Sequence, residues 1–194
     1  MVMTADAVYL QGLDVFSAVV GQLAPEDWER PSPCAGWRAL DVLGHVGAAA
    51  RFGAMLLVQG DASWRPVDPP GLAVEGDPAG WWGSIAPIAR EAVTGTDLSR
   101  VVDAPRGPRS VAQGLSFPAL DLFVHAWDLA RTAGTDVVVP PEVIEFGHAI
   151  MDPLPAGKVR SPAVFGVEVP APDGATSSEA FIAWTGRDPR WAPT

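Results

Sequence analysis

The chain reads as an all-α protein: a four-helix bundle with long crossover loops and a short helical C-terminal extension. Three observations predict this. Apolar residues recur at helical spacing over four long segments, and stretches rich in the chain's 20 prolines and 20 glycines separate those segments. Strand-like alternation is confined to 136–139 and 163–169.

Thr4 is placed to cap a first helix in which Leu10, Leu13, Phe16, Val20 and Leu23 form one stripe, and Pro25 ends it. The run Arg30-Pro31-Ser32-Pro33-Cys34-Ala35-Gly36-Trp37 is too rich in breakers for regular structure. It delivers the chain into a second helix over about 39–58, with Leu40, Leu43, Ala50, Met55 and Leu57 as core candidates. The segment 60–76 carries Pro66, Pro69 and Pro70 without helical period, as expected of a crossover or of a lid over a pocket. Asp77-Pro78 is a helix start, a capping side chain followed by proline. The third helix carries Trp81, Ile85, Ile88 and Ala92 on one stripe, and Pro87 should kink it. An irregular stretch over 103–116 leads to a fourth helix over 117–132, which Gly134 terminates. Shorter helices are expected over 142–151 and 178–185.

The 194 residues suffice for one compact domain, read as a helical core over 1–135 with the extension 136–194 packed on it. Hydrophobic residues make up 48% of the chain and charged ones 19%, which excludes wholesale disorder. A formal net charge of −10 argues against a nucleic-acid partner, because phosphate recognition rests on clustered Lys and Arg. The single cysteine excludes an internal disulfide framework and points to a reducing compartment. The first twenty residues carry Asp6 and Asp14 and no basic leader. No apolar run approaches the roughly 20 residues needed to cross a bilayer. The expectation is therefore a soluble cytoplasmic protein without a membrane partner. Eight tryptophans are present; Trp37, Trp64, Trp81 and Trp82 are candidates to line an apolar pocket, and a tryptophan-rich exposed face would suit a homodimer.

The chemistry concentrates in two echoes. Asp41-Val-Leu-Gly-His45 and Asp121-Leu-Phe-Val-His125 each put a carboxylate and an imidazole one helical turn apart on one face. Inward-facing pairs of this kind are how bundle cores build metal sites, and two of the chain's three histidines lie here. With His45 and His125 on facing helices and Asp121 one turn before His125, two nitrogens and a carboxylate would leave an open coordination position, as in catalytic sites. The same spacing also occurs in hydrogen-bonded cores without metal. Asp41, in the first turn of its helix, reads as a cap or as a support for the ligands. Asp128 would either orient His125 or face solvent. His148 has no partner at ligand spacing and reads as a surface or structural residue. Cys34 shows no base beside it and reads as packing. No phosphate cradle or Gly-x-Ser-x-Gly elbow is present.

Three motifs together carry a resemblance. Pro33-Cys34-x-Gly36-Trp37-x-x-x-Asp41-Val-Leu-x-His45, Val124-His125-x-Trp127-Asp128-Leu-Ala-x-x-x-Gly134 and the closing Thr185-Gly186-Arg187-Asp188-Pro189 resemble the actinobacterial branch of the DinB/YfiT-like metal-binding superfamily. That branch includes the N-terminal domain of mycothiol-dependent maleylpyruvate isomerase. The resemblance implies a DinB-like four-helix bundle with a long crossover, holding a divalent ion, zinc or nickel, by three side chains. The isomerase uses a His on its second helix and a Glu-x-x-x-His pair on its fourth. These positions fall on His45, Asp121 and His125, with Asp one methylene shorter than Glu. The isomerase also has a separate C-terminal domain, to which the tail here is unlike.

The implied function is a metal-dependent enzyme that activates a low-molecular-weight thiol, mycothiol, for transfer to or isomerisation of a small electrophile. Metal-dependent hydrolysis, with water in the open position and Asp41 or Asp128 as base, is a second reading. A non-enzymatic, metal-stabilised protein that binds a small ligand or serves under stress is a third.

Overall fold

The computed structural model describes residues 3–61, 63, 65–104, 107–160 and 164–193. Helices α1 (Ala5–Val20), α2 (Ala39–Gln59), α3 (Pro78–Val93) and α4 (Val111–Thr132) form the bundle. α1 packs along α4, α4 against α2, α2 against α3 and α3 back on α1, which closes a ring around one core. α5 (Pro141–Met151), α6 (Ala156–Val159) and α7 (Ser177–Trp184) follow, with α5 against both α4 and α7.

The stripes expected from periodicity face inward. Leu13, Phe16 and Val20 of α1, Leu43, Ala50 and Leu57 of α2, and Trp81, Ile85 and Ala92 of α3 are all buried. Phe16 meets Trp82 edge-on, ring centroids 4.8 Å apart, and the Trp82 indole N–H donates to Ser17 Oγ at 2.9 Å. Such an aromatic pair adds about 0.5–1.5 kcal/mol beyond area burial. Ile88 departs from the expected stripe. It is 57% exposed, because the buried face of α3 runs through Trp82 and Ala89 instead.

Other expectations are corrected. The stretch 103–116 is not irregular: β1 (Val101–Ala104) and β2 (Gly107–Ser110) form an antiparallel hairpin, and α4 starts at Val111. Ser110 sets that start through a capping box, its Oγ accepting from Gln113 N while Gln113 Oε1 accepts from Ser110 N. The segment 136–139 and the described part of 163–169 form no strand beyond an isolated bridge between Arg160 and Phe165. Thr4 stands at the start of α1 but makes no side-chain cap. α3 runs on through Pro87 to Val93.

α2 is long and apolar enough to cross a membrane by length and composition, with a mean hydropathy of 1.3. The expectation that no apolar run reaches that length is thereby corrected; Asp41, His45 and Arg51 interrupt the run without ending the helix. Half of the apolar window is buried inside the protein. The tryptophan-rich exposed face is absent among the described residues: Trp28, Trp81, Trp82 and Trp127 are buried, and Trp37, Trp184 and Trp191 half-buried. Trp64 lies outside the described residues.

The crossover between α2 and α3 is pinned to α2. Asp41 Oδ1 accepts from Gly71 N at 3.0 Å, and its Oδ2 accepts from Arg38 N at 2.9 Å, closing the first turn. The loop passes so near that a Cβ on Gly44 would lie 2.1 Å from Pro70 O. Gly44→Ala must therefore push the crossover off α2, and a urea titration should show a loss of about 1–3 kcal/mol. Gly53, in the same helix, is the control, because a Cβ there would meet nothing within 4 Å. Gly53→Ala should gain roughly 0.5–1 kcal/mol.

Candidate metal centre

His45 sits in the second turn of α2, whose start Asp41 holds, and Asp121 and His125 lie one turn apart in the middle of α4. Because α2 and α4 pack face to face, the three side chains converge. His45 Nε2 is 3.0 Å from Asp121 Oδ2, and His125 Nε2 is 3.4 Å from Asp121 Oδ1. One ligand atom from each of the three lies within 4.8 Å of the other two. The imidazole centroids are 5.0 Å apart, edge to face, and the Trp37 ring lies 5.2 Å from His45 and 6.1 Å from His125. His125 is buried, Asp121 nearly so, and His45 about one third exposed.

Asp128, one turn after His125, is fully buried and accepts from His125 Nδ1 at 2.8 Å. It is also forked by Arg187, whose Nη2 donates to Oδ2 at 3.0 Å and Nε to Oδ1 at 3.3 Å. Asp128 therefore orients His125 and does not face solvent. Asp41 takes the capping alternative, with its oxygens committed to Arg38 and to Gly71 of the crossover. His148 stands apart on α5, with Nδ1 3.3 Å from Asp152 and its ring 4.8 Å from that of Trp184. It does not join the cluster of His45, Asp121 and His125.

Electrostatics bind the cluster together. Burial alone would raise the Asp121 pKa, but the adjacent His125 and His45 outweigh it and hold the carboxyl down to about 2. Burial works to lower the His45 pKa, yet its hydrogen bond and charge attraction to Asp121 leave it raised. Burial likewise opposes ionisation of Asp128, and the Arg187 guanidinium overcomes it, so this carboxyl is also lowered.

The cluster forms the floor of a cavity of about 800 Å³. Three stretches of chain wall it: the entry loop with Cys34 and Trp37, the bundle face with Phe117, and the late segment with Arg160, Val167 and Thr185 to Arg187. Gly186 makes that closure possible. It has φ +89°, and a Cβ there would come within 2.9 Å of Gly166. Trp81 and Trp82, pocket candidates by sequence, lie in the bundle core between α2, α3 and α1 and not in this wall. Arg160 and Arg187 carry no sequence signal of a site role beyond the place of Arg187 in the closing Thr-Gly-Arg-Asp-Pro motif.

The residues fit a divalent ion. Bonds of about 2.0–2.2 Å in four-coordinate geometry set neighbouring donor atoms roughly 3.3–3.5 Å apart; the His125–Asp121 contact at 3.4 Å falls in that range and the His45–Asp121 contact at 3.0 Å is slightly shorter. The donor set, two imidazole nitrogens and a carboxylate, is that of metal sites with an open position, and all three residues line the cavity.

A helical bundle with an open His–Asp–His cluster facing a cavity defines a DinB-like protein. The chain belongs to the mycothiol maleylpyruvate isomerase N-terminal domain family, whose model matches residues 9–130. It is similar to uncharacterised proteins of Mycobacterium tuberculosis strains CDC 1551 / Oshkosh and ATCC 25618 / H37Rv. Each is 27% identical over 188 residues, covering 91% of this chain and 94% of its own length. Solved structures of the mycothiol-dependent maleylpyruvate isomerase and of a histidine-to-alanine mutant of it superpose with TM-scores of 0.59 at 14% and 13% identity, respectively. The superposition takes in 73% of this chain and 65% of the isomerase, so the chain spans less than two thirds of that protein. This likeness shows the shared fold.

Cys34 lines the same cavity, but burial first, then the nearby Asp128 and Asp121, outweigh Arg187 and push its thiol up to about 12. It is a packed thiol and not a thiolate at neutral pH. Alkylation by iodoacetamide at pH 7.5 should be at least tenfold slower for the native protein than for the urea-unfolded chain, as followed by mass spectrometry.

Proposed function

We propose that the chain is a metal-dependent enzyme that holds a divalent ion, zinc or nickel, through His45, Asp121 and His125. It uses that ion to activate a low-molecular-weight thiol, mycothiol in the family's chemistry, for transfer to or isomerisation of a small electrophile. The single observation that carries the reading is the convergence of His45, Asp121 and His125 from two facing helices, with one ligand atom of each within 4.8 Å of the other two. Asp128 is ionised and held by Arg187, so it accepts the proton of His125 Nδ1. That leaves Nε2 of the same ring turned toward Asp121 Oδ1 at 3.4 Å. A divalent ion placed between these atoms and His45 Nε2 would pair the buried carboxylate and take up both Nε2 nitrogens.

Held by His45, Asp121 and His125, a divalent ion would supply Lewis-acid chemistry that makes a thiol more acidic near neutral pH. The residues of the chain supply the rest. Asp121 and the two imidazoles fix the floor, Asp128 orients the His125 ring, and Trp37 packs beside both rings. Cys34, held as a thiol, does not compete as nucleophile. Phe117, Val164 and Val167 offer an apolar wall to the body of a small electrophile. The C-terminal extension belongs to the same unit as the bundle, and the cytoplasm is its expected setting.

Elemental analysis of protein purified without chelators should find about one zinc or nickel per chain. His45→Ala and His125→Ala should each lose it, whereas His148→Ala should keep it; equal loss in all three would defeat the assignment. In cobalt-substituted protein, mycothiol should add a sulfur-to-cobalt charge-transfer band, and an unchanged spectrum at saturating thiol would count against thiol activation. Activity that proceeds without thiol would instead favour hydrolysis.

Protons compete with the ion for the same nitrogens. The His45 pKa is raised above its ordinary 6.5, so protonation of His45 begins above the usual histidine range as pH falls. Metal affinity should therefore begin to decline, as pH falls, above the range in which an ordinary histidine protonates, in a chelator-competition titration.

A further inference from the structure

The late segment of the chain does more than wall the cavity. Arg187 is only 9% exposed, and its guanidinium meets both oxygens of Asp128: Nε with Oδ1 at 3.3 Å and Nη2 with Oδ2 at 3.0 Å. Its Nη1 donates to Thr185 O at 3.4 Å, within its own turn. Asp128 Oδ2 then accepts from His125 Nδ1 at 2.8 Å, and Nε2 of the same ring faces Asp121. Guanidinium, carboxylate and imidazole thus form one line that ends on a candidate ligand atom.

A guanidinium has donors only, arranged in a planar fork, so it presents the carboxylate as acceptor and fixes the plane of that group. A carboxylate held at both oxygens cannot swing about its terminal torsion, and the lone pair left on Oδ2 stays aimed at Nδ1. The hydrogen bond at one ring nitrogen decides what the other nitrogen can do. Asp128 alone, on the same helix as His125, has no other described side chain holding its second oxygen.

We infer that Arg187 is a positioning residue for the metal centre: through Asp128 it sets the ring plane and the tautomer of His125. The C-terminal segment, 57 residues beyond the end of the 9–130 family match (187 − 130), thereby completes the ligand set. The consequence for metal binding rests on the proposed metal reading; the effect on the His125 ring does not.

A residue that only neutralised a buried charge would be replaced by any cation, whereas a positioning fork would not. The test uses the full chain in three forms: wild type, Arg187→Met and Arg187→Lys. Side-chain nitrogen-15 NMR of the metal-free proteins reads the His125 tautomer, and zinc competition with a chromophoric chelator reads affinity. Wild type should show Nδ1 protonated and Nε2 bare. Arg187→Lys, with the charge kept and the fork lost, should show mixed tautomers and bind zinc about 10- to 100-fold more weakly, the usual effect of losing a partner behind a ligating histidine. Arg187→Met should behave the same way if folded by near-ultraviolet circular dichroism; if it does not fold, Arg187→Lys decides. Wild-type tautomer and zinc affinity in Arg187→Lys would overturn the inference, as would a wild-type ring protonated at Nε2. Should wild type bind no zinc, the metal reading falls, while the tautomer comparison still decides the role of Arg187.

Discussion

Asp128 has no exposed surface, yet it sits as a carboxylate in the middle of the most buried helix of the bundle. A charge taken out of water at that depth must be paired and hydrogen-bonded or the fold does not tolerate it. Arg187 and His125 meet that demand together, and much of the molecule follows from it. The chain after α7 must return to α4 to deliver Arg187, and the turn that delivers it closes one wall of the cavity. Arg131, one turn beyond Asp128, fastens the tail further by donating to Trp191 O at 3.1 and 2.5 Å.

The other end of the site depends on a second satisfied carboxylate. Asp41 caps α2 and reaches across to Gly71, so the crossover lies flat against the first turns of the helix that carries His45. Gly44, beside that histidine, leaves room for the loop to do so. Each of the two Asp-x-x-x-His echoes thus has its own purpose. One joins a loop staple to a candidate ligand, and the other joins two candidate ligands. Their similarity in sequence conceals a difference in role that arises because Asp41 stands at a helix terminus with free N–H groups nearby, whereas Asp121 lies mid-helix, where none remain.

Much of the fold is legible in the sequence because the long helices are amphipathic and begin or end at recognisable punctuation. α2 and α5 match the expected spans to within a residue, with Gly60 and Pro141 at their edges. The start of α4 lies six residues before the expected position (117 − 111), although Ser110 and Gln113 stand at capping-box spacing. Pro118 argues against a helix there, yet the proline is accommodated inside the second turn. The hairpin leaves little trace in the sequence because its strands are four residues long and one includes Pro108. Ile88 falls on the wrong side of the helical wheel, since periodicity marks an apolar stripe but not which of two adjacent stripes meets the neighbour.

The sequence by itself determined the helical class and the pairing of Asp121 with His125 on one helix face, because i,i+4 spacing on a helix is a local property; the meeting of that pair with His45, 76 residues before Asp121, was there an expectation from the resemblance and is a matter of tertiary packing. The sequence left open whether Asp128 faces the ring or the solvent, and it was silent on Arg187. Those were decided only by tertiary structure. Asp128 and Arg187 are 59 residues apart, and no local rule links an aspartate in one helix to an arginine in a turn beyond another. What joins them is the burial of a charge, which acts through space and becomes visible only once the chain has folded back on itself.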